Sequence, residues 1–251
     1  MDANRVLKVA AYAGKIILQS GAEIYRVEET ITRICNSLGF TKVDAFVTIN
    51  VIIICVENGS GESASITKRV KGRTQNLEKI SQVNNISRHI LDCKYTLEDV
   101  ENKLKKVERL KPYSYKANIF SSGGASAFFC LVFGGNIRDF IISFLIGCLV
   151  NLTSILLKYL QSNEFFINTI CGALVAFIAL LSTSLNLAVH SGTIIIGSLM
   201  VLVPGLSITN SIRDTIAGDL LSGILGAVDA ILVASAIAVG TGVVMKLWIV
   251  L

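Results

Sequence analysis

Apolar residues in the first forty positions recur at helical spacing. Val6, Leu7, Val9, Ala10, Ala13, Ile16 and Ile17 mark one face of a helix over residues 3–19, because side chains three and four apart lie together. Ser20-Gly21 interrupts the pattern. A second helix is expected from about Ala22 to Leu38, with Gly39 as its C-terminal cap. The period then changes. Ala45 to Val56 is dense in Val, Ile, Phe and Thr and predicts a strand. Glu57-Asn58-Gly59-Ser60-Gly61-Glu62 is turn chemistry, and Ser65 to Val70 reads as the return strand of a hairpin. Two polar helices are expected at about Asn76–Leu91 and Leu97–Leu110. Thr96 offers a cap for the second, with Asp99 as a short capping-box partner.

Beyond Pro112 and Lys116 the pattern loses its polar face. Five apolar stretches follow, at about 117–135, 140–157, 165–185, 189–206 and 221–244. Each is near the length that a bilayer core requires. Five such stretches leave no amphipathic layer to face water, which argues against a soluble core. The expected fold is an N-terminal α+β cytoplasmic domain over 1–112. An all-α membrane domain of about five transmembrane helices is expected over 113–251.

Composition agrees with the pattern. Hydrophobic residues make up 52% of the 251, charged residues only 16%, and the mean hydropathy is +0.64. A soluble domain carries about 25% charged residues. Residues 1–116 hold 19 Lys/Arg and 13 Asp/Glu, and residues 117–251 hold 4 and 5, so net charges of +6 and −1 give the overall +5. Lys103, Lys105, Lys106, Arg109, Lys111 and Lys116 precede the first expected span, whereas Arg138 alone follows it. The bias places the N-terminal domain in the cytoplasm and the C-terminus outside a cell (plasma) membrane. No signal peptide is expected, since Asn4-Arg5-Val6-Leu7-Lys8 leads into an amphipathic pattern. The six cysteines form no C-x-x-C pair and read as reduced.

Candidate chemistry concentrates in the last third. Pro204 and Gly205 stop or kink a helix, and Thr209 or Asn210 is placed to cap a new one starting near Ser211. Free N–H groups at such an end, with Arg213, suit a small carboxylate. Pro204, Gly205, Thr209, Asn210 and Arg213 are therefore the substrate-binding candidates, against an interfacial turn as the plainer reading. Asp214, Asp219 and Asp229 are the proton-coupling candidates, because an acid inside an apolar helix is costly unless it faces a cavity or partner. The plainer alternative is a buried acid paired with Arg213. Gly218, Ser222, Gly226, Ala230 and Ala234 form a small-residue row for close helix packing. Glu23, Arg26, Glu29 and Arg33 are spaced for salt bridges along one helix.

The chain carries no G-x-S-x-G, H-E-x-x-H or P-loop, and His89 and His190 stand alone. No enzyme, cofactor or metal is expected. The basic half lacks interleaved aromatics, so no nucleic-acid partner is expected either. A membrane-tethered cytoplasmic hydrolase and a membrane sensor or regulatory protein are the alternatives to transport.

Three segments resemble the threonine/serine exporter family: Ser20-Gly21-Ala22-Glu23-Ile24-Tyr25-Arg26-Val27-Glu28-Glu29-Thr30; Asn76-Leu77-Glu78-Lys79 with Val83-Asn84 and Ser87-Arg88; and Val203-Pro204-Gly205-Leu206 with Thr209-Asn210-Ser211-Ile212-Arg213-Asp214 and Ala217-Gly218-Asp219-Leu220-Leu221-Ser222-Gly223. The likeness spans nearly the whole chain. Members of that family carry a cytoplasmic domain and about ten spans, so with five expected spans the chain resembles the larger subunit of the split, two-component form. That implies a secondary exporter working with a small integral membrane partner subunit that supplies the remaining spans in the bilayer. The implied small-molecule substrate is threonine/serine or a C4 dicarboxylate such as succinate, and the implied coupling is to protons.

Overall fold

The computed structural model describes residues 3–57, 61, 63–72, 74–111 and 113–250. Residues 58–60 and 62 of the expected hairpin turn, and Pro112 at the expected junction, lie outside the described residues. The described chain forms ten helices and one three-stranded sheet in two compact units.

The first unit comprises Met1–Lys111 and Leu206–Ala227. Helix α1 (Ala3–Gln19) turns at Gly21, whose φ of 89° favours glycine, into α2 (Ile24–Ser37). Strands β1 (Lys42–Val47), β2 (Val51–Glu57) and β3 (Ser63–Arg69) form an antiparallel meander in sequential order. The expected single strand over 45–56 is therefore two. A tight turn closes between them where the Thr48 N–H donates to the Val51 carbonyl at 2.8 Å. Helices α3 (Leu77–Arg88) and α4 (Leu97–Glu108) follow. Asn76 caps α3, and Thr96 and Asp99 complete a capping box on α4.

The apolar stripe of α1 supplies Val6, Leu7, Val9, Ala10, Ala13, Ile16 and Ile17 to the core, as the spacing predicts. Ile31 and Ile34 of α2, Ile52 and Ile54 of β2, and Leu104 of α4 meet them there. Gly14 lets α1 approach: a Cβ at that position would lie 2.7 Å from Ile31 Cδ1. The unit also contains most of α9 (Gly205–Ala217) and the first turns of α10 (Leu220–Val250).

The second unit comprises Pro112–Gly205 and Val228–Leu251. It is built from α5 (Tyr115–Val132), α6 (Ile137–Tyr159), α7 (Glu164–Ser184), α8 (Ser191–Leu199) and the long remainder of α10. Its interior mixes buried Ile146, Val150, Val175 and Ile194 with small residues at the closest helix contacts. Ser126 donates to the Ser143 carbonyl at 2.7 Å and shares a hydrogen bond with Ser198 Oγ at 2.9 Å. Its large side chains, among them Phe128, Leu149, Leu152 and Phe166, point outward.

Three of the described helices are long and apolar enough to cross a membrane: α6, α7 and α10. The expectation of about five spans is corrected accordingly. Helix α5 carries Lys116 and Asn118 in its first turn and Ser121, Ser122 and Ser126 beyond, which dilutes its hydropathy. The stretch over 189–206 does not form one helix. Helix α8 has 9 residues, about 14 Å at 1.5 Å per residue. Pro204 disfavours helical geometry at Val203, and a new helix opens at Gly205. The expected order of an α+β half before an all-α half is corrected too, because residues 206–227 join the first unit. The cytoplasmic assignment of 1–112 falls with the span count. The basic residues from Lys103 to Lys116 flank α5, which is not among the three, so they no longer mark a span end.

Candidate functional site

Helix α2 begins without a cap of its own. Glu23 occupies the N-cap position in extended geometry, yet its side chain makes no capping hydrogen bond. The first N–H groups of a helix have no intrahelical acceptor. The vacant role is filled from α9, where Asp214 Oδ1 accepts the Ile24 N–H at 3.0 Å across 190 positions of sequence. A carboxylate here also meets the positive end of the α2 dipole.

Two further contacts join the same segments. Asn210 Nδ2 donates to the Gly21 carbonyl at 2.9 Å, and Arg213 Nη1 donates to Glu23 Oε1 at 2.7 Å. Asn210, Arg213 and Asp214 share one face of α9 because they stand three and four apart. Glu23 is 8% exposed and also pairs with Arg26, Oε2 to Nε at 3.2 Å. A buried carboxylate thus sits between two guanidinium groups whose side chains are 42% and 55% exposed. Glu29 and Arg33 pair one turn further along, as their spacing predicts.

Another face of α9 packs on the start of α10. A Cβ at Gly223 would meet the Ser211 carbonyl at 2.9 Å, so glycine is required where the two helices touch. Gly218, at φ 98°, makes the turn between them, and the Asp219 N–H donates to the Asp214 carbonyl at 2.8 Å. Ile208, Ile212 and Ile216 form the exposed side of α9.

Acid accumulates beside this junction. Glu28 Oε1 accepts the Val47 N–H at 2.9 Å. Burial raises its carboxyl above the ordinary range, the Val47 bond opposes the shift, and the negative charges of Asp219 and Asp214 add to it. An open groove of 720 Å³ runs along α2 and β1, with Glu28, Thr32, Arg33 and Asp44 on its walls.

The structure therefore brings Asn210, Arg213 and Asp214 to the turn that precedes α2, and Asp219 within charge range of Glu28 on that helix. Pro204 and Gly205 stand at the start of α9, and Thr209 is exposed one turn along it. Helix α9 begins at Gly205, not near Ser211, so Thr209 and Asn210 lie inside the helix and not at its start. Asp229 lies apart, on the exposed face of α10. Along that helix Ser222, Gly226 and Ala230 are buried and Ala234 is exposed.

Three participants carry little or no local signal. Glu23 reads only as one member of a salt-bridge row along its helix, and Glu28 stands out for nothing in that pattern. Asp139, in the second unit, is fully buried at the start of α6. It accepts the N–H groups of Asn136, Val189 and His190 and pairs with His190 Nδ1 at 2.9 Å. Its place three residues after Asn136, with which it completes the capping box of α6, is a local hint of a helix-start acid but gives none of its bonds to Val189 and His190. Among the described residues no group of three or more His, Cys, Asp or Glu is placed to hold a metal ion.

A model of the family described as "Putative threonine/serine exporter" matches residues 8–248. Three curated relatives are similar along nearly the whole chain. The probable succinate transporter subunit YjjP of Klebsiella aerogenes is 24% identical over 98% of this chain and 95% of its own length. Its namesake in Escherichia coli is 25% identical over 97% and 94%. The threonine/serine exporter of Corynebacterium glutamicum is 24% identical over 96% of this chain but 51% of its own length. No solved structure matches.

Proposed function

The chain belongs to the threonine/serine exporter family, and on that premise we propose that it is one subunit of a two-component secondary exporter for a small carboxylate-bearing metabolite in the cell membrane. The observation that carries this reading is the convergence of Asn210, Arg213 and Asp214 on the turn Gly21–Ile24. Segments 190 positions apart meet there around two exposed guanidinium groups and a buried acid. Guanidinium is the side chain best matched to a carboxylate, since its fork makes two parallel bonds. In this reading Arg213 takes the substrate carboxylate. Asn210 and Thr209 flank it, and Pro204 and Gly205 free α9 to move.

The two-component assignment rests on length. The chain matches nearly all of two relatives named as subunits and about half of the one named as an exporter. A separate small membrane subunit then supplies what this chain lacks. Asp229 supports such a partner: an acid exposed in the first third of an apolar helix costs up to about 2.5–3.5 kcal/mol toward lipid, the value at the bilayer centre, and less against a protein neighbour. Asp214, Asp219 and Asp229 are the candidates for carrying the coupled proton.

Labelled succinate and labelled threonine uptake into inside-out vesicles tests the reading, with and without an imposed pH gradient. Arg213→Gln should raise KM about tenfold or more, the effect of losing a charge-assisted bond worth about 1.5–3 kcal/mol. Asp229→Asn should abolish gradient-driven flux while the chain stays in the membrane. Wild-type saturation in the first variant removes Arg213 from the substrate site. Normal gradient dependence in the second removes Asp229 from coupling.

A further inference from the structure

We propose that Glu23 is an internal stand-in for the substrate carboxylate, latching α9 to the α1–α2 turn until substrate exchanges with it on Arg213. The inference rests on the reading of Arg213 as the substrate's partner and adds what that residue does before substrate arrives.

The geometry is asymmetric in the way an exchangeable pair requires. Glu23 is buried, whereas Arg213 and Arg26 keep much of their side chains open. An incoming anion therefore reaches the guanidinium groups without first uncovering the acid. The Arg213 bond to Glu23 runs through one nitrogen, Nη1. A free carboxylate approaching the open edge can bond two nitrogens of the same fork, which is the stronger arrangement. Glu23 is not stranded by the exchange, because Arg26 Nε remains 3.2 Å from its second oxygen. A buried acid that lost its only partner would be heavily penalised, so Arg26 makes release feasible.

Exchange at Arg213 also loosens two neighbouring bonds. Asn210 to the Gly21 carbonyl and Asp214 to the Ile24 N–H lie on the same face of α9 and hold the same turn. When α9 leaves with its substrate, the Ile24 N–H loses its acceptor. The latch thus links occupation of Arg213 to the freedom of α9, whose start at Pro204-Gly205 offers little resistance to reorientation.

The same vesicle assay reads the latch. The apparent affinity of a site that is open only part of the time is reduced by the open fraction. Glu23→Gln should therefore lower KM for the labelled substrate, about tenfold if the latch is open roughly one tenth of the time. An unchanged or raised KM overturns the latch. Glu23→Asp keeps the charge but shortens the reach, and it should shift KM the same way by less. Should neither variant reach the membrane, hydrogen exchange of the wild-type chain decides. Saturating succinate or threonine should speed exchange across residues 20–26, and unchanged or slower exchange there overturns the proposal. Arg213→Gln separates the two ideas. If it leaves KM untouched, the substrate reading fails. If it raises KM while Glu23→Gln leaves KM and exchange unmoved, only the latch fails.

Discussion

The first unit buries branched aliphatic side chains: Leu7, Ile17, Ile24, Ile31, Ile34, Ile52, Ile54 and Leu104 lie at its centre. The second unit buries Ser126, Ser143, Ser198, Ala127, Ala176, Gly147 and Gly197 alongside a smaller set of aliphatics such as Ile146, Val150 and Ile194, and turns most of its Phe and Leu outward. These are the two solutions expected for two solvents. In water the large apolar groups gain by leaving solvent. In lipid they gain nothing by burial, so helices associate through small residues that allow backbones to touch, with hydroxyls bonding across. The contrast also separates two buried acids. Asp139 locks one helix start to a distant turn inside a small-residue interior, whereas Asp214 caps α2 beside exposed arginines and a cluster of acids. The first looks inward only, and the second sits where an anion can arrive.

Close backbone contact in the second unit should be the least forgiving feature. A Cβ at Gly147 would stand 2.6 Å from the Ser122 carbonyl and 2.9 Å from Gly123 Cα. Neither is the end of a flexible side chain, so α5 and α6 must separate. Gly147→Val is expected to remove the chain from the membrane fraction, read by immunoblot. Leu149→Val, on the outward face two residues on, should leave the amount unchanged. Equal loss in both would break the comparison, because it would make the outside as exacting as the inside.

An intermediate effect is expected in the first unit. Ile31 is fully buried, and truncating such a residue costs about 2–5 kcal/mol. Cys35 lies in the same core, its thiol pushed up to about 12 by burial, and reports local opening through its alkylation rate. Ile31→Ala should speed alkylation of Cys35 at least tenfold, with modified sites resolved by mass spectrometry. Leu152→Ala, on the lipid side of the second unit, should leave that rate alone.

Local pattern made much of this legible. The stripe of α1, the cap of α4 at Thr96 and the three spans α6, α7 and α10 are all properties of neighbours in sequence. The turn at Thr48-Ile49-Asn50 was hidden because it contains neither Gly nor Pro and interrupts a run of β-formers. The stretch 189–206 was misread because hydropathy counts side chains and ignores whether the backbone continues. The pairing of Glu23 with Arg213 had no local signature at all. Two motifs were visible as separate strings, and only tertiary structure puts one on the other.

The finest distinction lies within the first unit, is electrostatic and concerns Glu28. Its folded carboxyl titrates above the ordinary glutamate value of 4.5, chiefly through burial. A group raised on folding contributes its full stability below the unfolded value and loses it as pH rises through the folded value. Glu108 runs the other way. The Tyr12 hydroxyl and then Lys15 hold its carboxyl low, so its contribution is present above 4.5 and fades as pH falls. Glu28→Gln keeps an oxygen for the Val47 N–H and removes the charge that Asp214 and Asp219 oppose. The variant should match the wild type at acid pH and become progressively slower in Cys35 alkylation than the wild type as pH rises. The ratio of the two rates cancels the intrinsic titration of the thiol. A ratio independent of pH would mean that Glu28 pays no charge penalty on folding, and the acids beside α2 would then be solvated as freely as those on an ordinary surface.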